Sequence, residues 1–399
     1  MQLYLQFGHG MIEHTKALLK SWGDGGVVLS PRDLTRDQIV NVGQAVTKLG
    51  REALLDPQCF AHDADHHRLM THEHFKAFSA CATTSLFTPQ GARDVIKPLF
   101  ALGVELGAQR HIVPGLLARP VSQDWVSMQT HLIAIAKEEA AGRPLLATVA
   151  LSSDSVRAEA DVEAVIEAAA KWTVEGFYVV AESPSVYLVD DPVWTANVLL
   201  LVSGLRLHKK PVLVGYSNHQ LLCLAAAGAD VMASGTWLNV RAFPIDKFYQ
   251  PAEDEESRRT IWYYCPQSLS EYKLPFLDIA KRVGVLPLMK PDPAFGSSYA
   301  DPLFAGPDPS TVNWREPEAF RHYLTCLRGQ CSLLAASSFD EAVAKQKALL
   351  NTSSQVSKQF VSKGVRGDYR DFNGYFDVNL AAIAVLEHAR GARLKKEWP

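Results

Sequence analysis

The sequence predicts an α/β fold, a (β/α)8 TIM-like barrel with a mainly helical C-terminal extension. Short apolar runs, each bounded by turn residues, alternate with stretches of helical periodicity through residue 243. Eight such runs fit into about 240 residues, which favours a closed barrel over an open doubly wound sheet. Residues 211–234 form the clearest unit: strand PVLVGY, a helix from about Asn218 to Ala227, a stop at Gly228, then strand DVMAS. That βαβ pattern demands parallel strands.

The elements follow in order. QLYLQF (2–7) leads into an amphipathic stretch ending at Trp22. VVLS (27–30) follows a Gly-Asp-Gly-Gly turn, and Ile39, Val42, Val46 and Leu49 are spaced for a helix over 37–49. ALLD (53–56) is the third strand. HIVPGLL (111–117) is weaker, because Pro114 cannot donate to a ladder. LLATVAL (145–151), then EGFYVVAE (175–182) after an Ala-rich helix at 159–172, lead to the final pair. The barrel therefore spans 1–243. Residues 244–315 form an irregular insertion rich in Pro and aromatics, with one helix near 269–283. Residues 316–399 read helical and end in a basic tail.

Composition narrows the function classes. The chain has 399 residues, 47 % hydrophobic and 21 % charged, which excludes a disordered chain and a highly charged coiled coil. Forty Lys+Arg against 43 Asp+Glu exclude a histone-like polycation but allow a local basic groove. The scattered Cys59, Cys81, Cys223, Cys265, Cys326 and Cys331 fit a reducing cytoplasm rather than a disulfide scaffold. The N-terminus has no basic lead and no small-residue cleavage site, so it reads as a strand. The longest apolar run, VLLLVSGL (198–205), falls short of the ~18 residues needed to span a bilayer. The expectation is a cytoplasmic protein without a membrane partner.

Barrel enzymes carry their chemistry where strands end. That rule selects His9, Ser30, Arg32, Asp33, Asp56, Gln58, Asp154, Glu182, Tyr216, Ser217 and Ser234. Asp56, directly before Pro57, can act as a base or hold a sugar hydroxyl; a loop cap is the plainer role. Glu182, after FYVVA, can be an acid of raised pKa or read a base edge; a salt bridge to a loop arginine is equally open. Arg32 and Asp33 suit a phosphate or base contact, or a cap and a loop ion pair. His9, between two glycines, can reach the mouth or simply turn. Tyr216, Ser217 and Ser234 can line the pocket or serve the adjoining elements.

Residues 60–75 hold His62, Asp63, Asp65, His66, His67, His72 and His74, which invites a metal. No pair matches H-E-x-x-H, and polar surface is the favoured reading. His322 and Cys326 share a helix face near Cys331, with Cys265 upstream; zinc is conceivable, buried thiols are preferred.

The order of motifs resembles the tRNA-guanine transglycosylase superfamily, especially its bacterial branch thought to insert 7-deazaguanine bases into DNA. The family's D-S-G-G-F strand end is matched by Asp56-Pro57-Gln58-Cys59-Phe60, with both glycines lost. Its D-G-F-A-I-G-G-L-S segment resembles Glu175 to Ser183. Its L-M-G-V-G-x-P-E-D-L and G-I-D-M-F-D segments resemble Leu213 to Leu221 and Gly228 to Ala233. The resemblance covers most of 1–243. It implies exchange or cleavage of an N-glycosidic base of guanine or 7-deazaguanine type in DNA or tRNA, within a modification or phage-defence system. It implies a base-handling role for Asp56, with Glu182 and Tyr216 as pocket positions.

The family nucleophile falls on Ala233, which cannot attack a sugar carbon. Asp230, Asp56 or Glu182 would have to substitute, or the chain is a silent nucleic-acid-binding subunit beside an active partner. The family zinc cluster C-x-C-x-x-C is missing, so no metal or other cofactor is carried over. Arg32, Arg241, Lys247, Arg258 and Arg259 are candidates for a basic rim, or solvated charges. A third reading is a phosphate- or flavin-binding barrel enzyme, from the glycine-flanked strand Gly228 to Gly235.

Overall fold

The structure is a computed structural model that describes residues 1–80, 82–250 and 260–398. Eight strands build the barrel: β1 Gln2–Gln6, β2 Gly26–Leu29, β3 Glu52–Leu55, β4 His111–Val113, β5 Leu145–Leu151, β6 Gly176–Ala181, β7 Val212–Val214 and β8 Val231–Ser234. Their hydrogen-bonded order is β3-β2-β1-β8-β7-β6-β5-β4, and every pair is parallel. The first strand pairs with the eighth, so the sheet curls into a nearly closed (β/α)8 barrel. The seam lies between β3 and β4, which approach each other without a ladder. Pro114 ends β4 after three residues, because its ring nitrogen has no hydrogen to donate.

Between β7 and β8 the expected α-helix is a tighter 3-10 helix, His219–Ala225, capped where the Asn218 side chain accepts from the Gln220 amide. Gly228 ends the segment at φ 77°, the left-handed turn that glycine adopts without steric cost. The apolar run 198–205 lies in helix Pro192–Arg206, whose residues Trp194 to Leu205 are all buried. The last helix, Phe376–Glu397, packs along it. A helix that is apolar all round is thereby covered all round. Among the described residues no helix is long and apolar enough to cross a membrane.

The region 244–315 is less irregular than its proline content suggests. Strands β9 Trp262–Cys265 and β10 Ser270–Lys273 form an antiparallel hairpin. Helix Leu274–Arg282 therefore starts later than the expected 269; Pro275 sits in its first turn, where no amide hydrogen is needed. Tyr263, Cys265, Tyr272, Leu277, Met289 and Trp314 form a second core there, shared with Phe360 of helix Phe339–Ser362. Helices Glu316–Leu333, Phe339–Ser362 and Phe376–Glu397 make the C-terminal region helical, as the sequence predicts.

Candidate functional site at the barrel mouth

Asp56 directly follows β3, where its amide continues the ladder to the Leu29 carbonyl at 3.0 Å. Its side chain is fully enclosed. Oδ2 accepts from the Tyr178 hydroxyl at 2.9 Å and the Tyr216 hydroxyl at 2.8 Å, and Oδ1 accepts from the Gln58 amide at 3.1 Å. Tyr178 reaches Asp56 from β6, on the far arc of the sheet. The approach depends on Gly215: a Cβ there would stand 2.7 Å from the Tyr178 hydroxyl.

Gln58 ties the mouth together. Its Oε1 accepts from the Arg32 amide at 2.7 Å, and its Nε2 donates to Ser30 Oγ at 2.9 Å and to Tyr216 Oη at 3.1 Å. Ser30 in turn donates to Asp33, which pairs with the buried Arg32 guanidinium at 3.2 Å. Gln58 and Tyr216 hold φ of 54° and 51°, a left-handed conformation unusual for residues with side chains. Such backbone strain concentrates where surrounding contacts fix a functional geometry.

Burial pushes the Asp56 carboxyl up to about 6, against the opposing pull of the Tyr216 and Tyr178 hydroxyls, the Gln58 amide and Arg32. Burial, then the Asp56 charge, raises both tyrosines well above their usual range, so they remain neutral donors. A carboxyl balanced between its two forms near neutral pH suits proton transfer.

Three phenylalanines cap this group. Phe243 lies 4.9 Å from Phe60, 5.5 Å from Phe248 and 5.0 Å from Tyr216 between ring centres, and Arg32 lies 5.0 Å over Phe248. Gln6 against Tyr178, Ser234 against Tyr323 and Arg32 over Phe248 carry buried polar atoms without a well-aligned hydrogen bond among the described residues: both ends of the Gln6 amide, Ser234 Oγ and Arg32 Nη1. Buried polar groups are ordinarily paired. These atoms are the donors and acceptors that a polar ligand could use. Replacing Gly215 by Ala is expected to displace Tyr178 from Asp56 and raise the Asp56 pKa above about 6. A titration of the Asp56 carboxyl by NMR checks this, and an unchanged midpoint contradicts it.

The other selected residues are dispersed. Glu182 ends in a salt bridge to Arg119 at 3.1 Å and accepts from the Ser153 amide at 3.0 Å, apart from the Asp56 network. Asp230 precedes β8, so it lies at the opposite end of the barrel from Asp56; it accepts from the Val212 amide and pairs with Arg206 at 3.2 Å. The Gly228-Ala229-Asp230 turn shares that far end. Ser217 is buried, and its hydroxyl donates to the Val214 and Gly215 carbonyls. His9 and Asp154 are exposed, the latter 3.5 Å from Arg157. Lys247 is exposed and pairs with Asp246. Arg241 is only 2 % exposed, so it belongs to an interior ion pair rather than an open rim. Arg258 and Arg259, like Cys81, lie outside the described residues.

The histidine-rich stretch is not simply polar surface. His72 and His74 are buried and face the Leu34 and Pro57 carbonyls at 2.9 and 3.2 Å, so His74 props the turn that follows Asp56. His322 is buried between the Tyr264 carbonyl and the Ser297 hydroxyl. Burial pushes the neighbouring Cys265 thiol up to about 11. Among the described residues no group of three His, Cys, Asp or Glu side chains could hold a metal ion.

The sequence reading missed Tyr178, Gln6 and the phenylalanine cap. The available signal was a polar atom inside an apolar strand: the hydroxyl in GFYVVA and the amide closing QLYLQ. Fold and site together define a (β/α)8 barrel with an enclosed, near-neutral acid at the C-terminal ends of its strands. Comparison with protein-family models and with curated proteins returns no match for this chain.

Proposed function

We propose that the mouth around Asp56 handles a guanine-type nucleobase, as in a transglycosylase, and exchanges or cleaves its N-glycosidic bond in DNA or tRNA. The observation that carries this reading is the enclosed Asp56 carboxyl, held by two tyrosine hydroxyls and one amide at an acidity near neutral. As a carboxylate it accepts a purine N–H; as an acid it protonates the departing ring nitrogen while the C1′–N bond breaks and water, or the ring nitrogen of the incoming base, bonds to C1′ and gives up its proton to solvent. The Gln6 amide, which lies against the Tyr178 hydroxyl, offers a donor and an acceptor to the base edge, and the phenylalanine cap offers faces for stacking. A base in a duplex must leave the stack to reach such a site. The order of motifs around Asp56 supports the same reading.

One observation favours a second reading, a silent base- and nucleic-acid-binding subunit. Covalent exchange needs a carboxylate to attack C1′. Ala233 has none, and Glu182 is engaged by Arg119 and Ser153. Labelled guanine and 7-deazaguanine, incubated with single- and double-stranded DNA or tRNA, separate the two. Incorporation by the wild type, abolished in Asp56→Asn, supports the enzyme. Binding without incorporation supports the subunit, and neither binding nor incorporation overturns both.

A further inference from the structure

A second enclosed polar cluster lies between the loop after β8, the β9–β10 hairpin and the turn before the last helix. Glu271 of β10 is 2 % exposed and receives two arginines: Arg241 Nη1 at 3.3 Å from Oε1, and Arg370 Nη1 at 2.9 Å from Oε2. The Tyr187 hydroxyl also donates to Oε1. Burial alone would raise the Glu271 pKa, but Arg370 and then Arg241 pull it down to about 2, so it is ionised.

Among the described residues, two cations therefore pair with one anion. The remaining titratable neighbours do not restore the balance. Burial pushes His219, 3.4 Å from the Tyr187 hydroxyl, down to about 3, so it is neutral. Burial raises the phenols of Tyr187 and Tyr323, so they are neutral as well. Glu316 also lines the cleft and has a partner of its own, while the ion pairs of Arg241 and Arg370 are both made with Glu271.

The donors are only partly used. Arg370 Nε is buried without a partner among the described residues. Arg241 donates through Nε and Nη1 and Arg370 through Nη1, which leaves both Nη2 groups without a hydrogen-bond partner among the described residues. Both guanidiniums are fixed in place by aromatic faces: Arg241 lies 3.5 Å over Tyr323, and Arg370 lies 4.3 Å over Trp262. They line a cleft of about 50 Å³. One water needs roughly 10–15 Å³ on that scale, so a single phosphate-sized group fits.

We propose that this cleft is a phosphate subsite, in which Arg241 and Arg370 bind a phosphate group of the nucleotide whose base enters the Asp56 mouth. An excess buried cation is costly alone and favourable once an anion completes it. A guanidinium fork matches phosphate geometry with two parallel hydrogen bonds. Arg241 also lines the adjoining cleft that reaches Gly215 and Tyr216, and Tyr216 donates to Asp56. Arg241 and Tyr216 thus line one cleft, which lies between the arginine pair and Asp56. That the phosphate belongs to a nucleotide rests on the reading of the Asp56 mouth; phosphate recognition itself does not.

The test titrates inorganic phosphate and GMP into the full chain, with chloride at matched ionic strength as control. One phosphate should bind the wild type. Arg370→Gln removes the excess charge and keeps the Arg241–Glu271 pair, so affinity should fall at least tenfold, roughly 1.4 kcal/mol. Phosphate stabilises proteins generically, and that effect is common to both chains. Glu271→Gln acts in the opposite direction: it lowers Tm but makes Tm rise more steeply with phosphate than in the wild type. No binding up to on the order of 10 mM, or equal binding by the wild type and Arg370→Gln, overturns the subsite. So does a Glu271→Gln response no steeper than that of the wild type. GMP binding no tighter than phosphate overturns the nucleotide assignment. Asp56→Asn should retain phosphate binding and lose base binding; a wild-type chain that binds phosphate but no base, or equal base binding by both chains, overturns the Asp56 reading and leaves the subsite standing.

Discussion

Acidified from pH 7 to pH 4, the chain is expected to lose on the order of 7 kcal/mol of folding stability through three fully enclosed histidines and Asp56 alone, comparable with the whole stability of a typical domain. The cause is a set of enclosed neutral histidines. Burial pushes His74 and His219 down to about 3 and His322 down to about 4. In the unfolded chain each titrates near 6.5. Below that value the unfolded state takes up three protons that the native state does not, so stability is present above pH 6.5 and falls with pH. Each proton contributes about 1.4 kcal/mol per pH unit, so three histidines give roughly 10 kcal/mol over the interval.

Asp56 works in the other direction. Its folded pKa is raised to about 6, so its contribution is fully present below the unfolded value and is lost as pH rises through 6. It returns about 3 kcal/mol on acidification, which gives the net figure. Urea unfolding at half-unit pH steps checks the slope. A midpoint constant between pH 7 and pH 5 contradicts it. His74→Gln should flatten the slope by one proton.

Phe243→Ala is expected to cost about 3–5 kcal/mol, the range for a large enclosed aromatic whose neighbours cannot fully collapse. Phe243 contacts the rings of Phe60, Phe248 and Tyr216, and its backbone is bridged to Glu182. The variant should also wet Asp56, and its pKa should fall from about 6 towards the ordinary carboxylate range. The readout compares stability with and without Asp56→Asn at pH 4 and pH 7. In the wild-type background that difference changes by about 3 kcal/mol between the two pH values. In the Phe243→Ala background the change should shrink; an unchanged difference shows that the phenylalanine does not control hydration of Asp56.

The barrel was legible because each strand is an apolar run closed by turn residues, and because the 211–234 unit fixes parallel pairing. The hairpin Trp262–Lys273 was not, because the prolines on either side dominated the reading of its aromatic alternation. Asp56 was legible from its place after an apolar run. Tyr178 was not: a tyrosine among Phe177 and Val179 reads as core, and its bond to Asp56 spans 122 residues. Asp230 misled because a carboxylate beside a strand was selected without regard to which end it occupies. It precedes β8, and barrel chemistry lies where strands finish. Arg241 looked like a rim cation because its partner Glu271 comes from a different segment, which no local pattern joins to it.

The most direct measurement is equilibrium dialysis of labelled guanine and 7-deazaguanine against the wild type and Asp56→Asn, between pH 5 and pH 8. A base-handling mouth at Asp56 predicts one bound base per wild-type chain, an affinity that changes with pH around 6, and at least roughly tenfold weaker binding to the variant. Equal binding by both chains, or binding by neither, contradicts it.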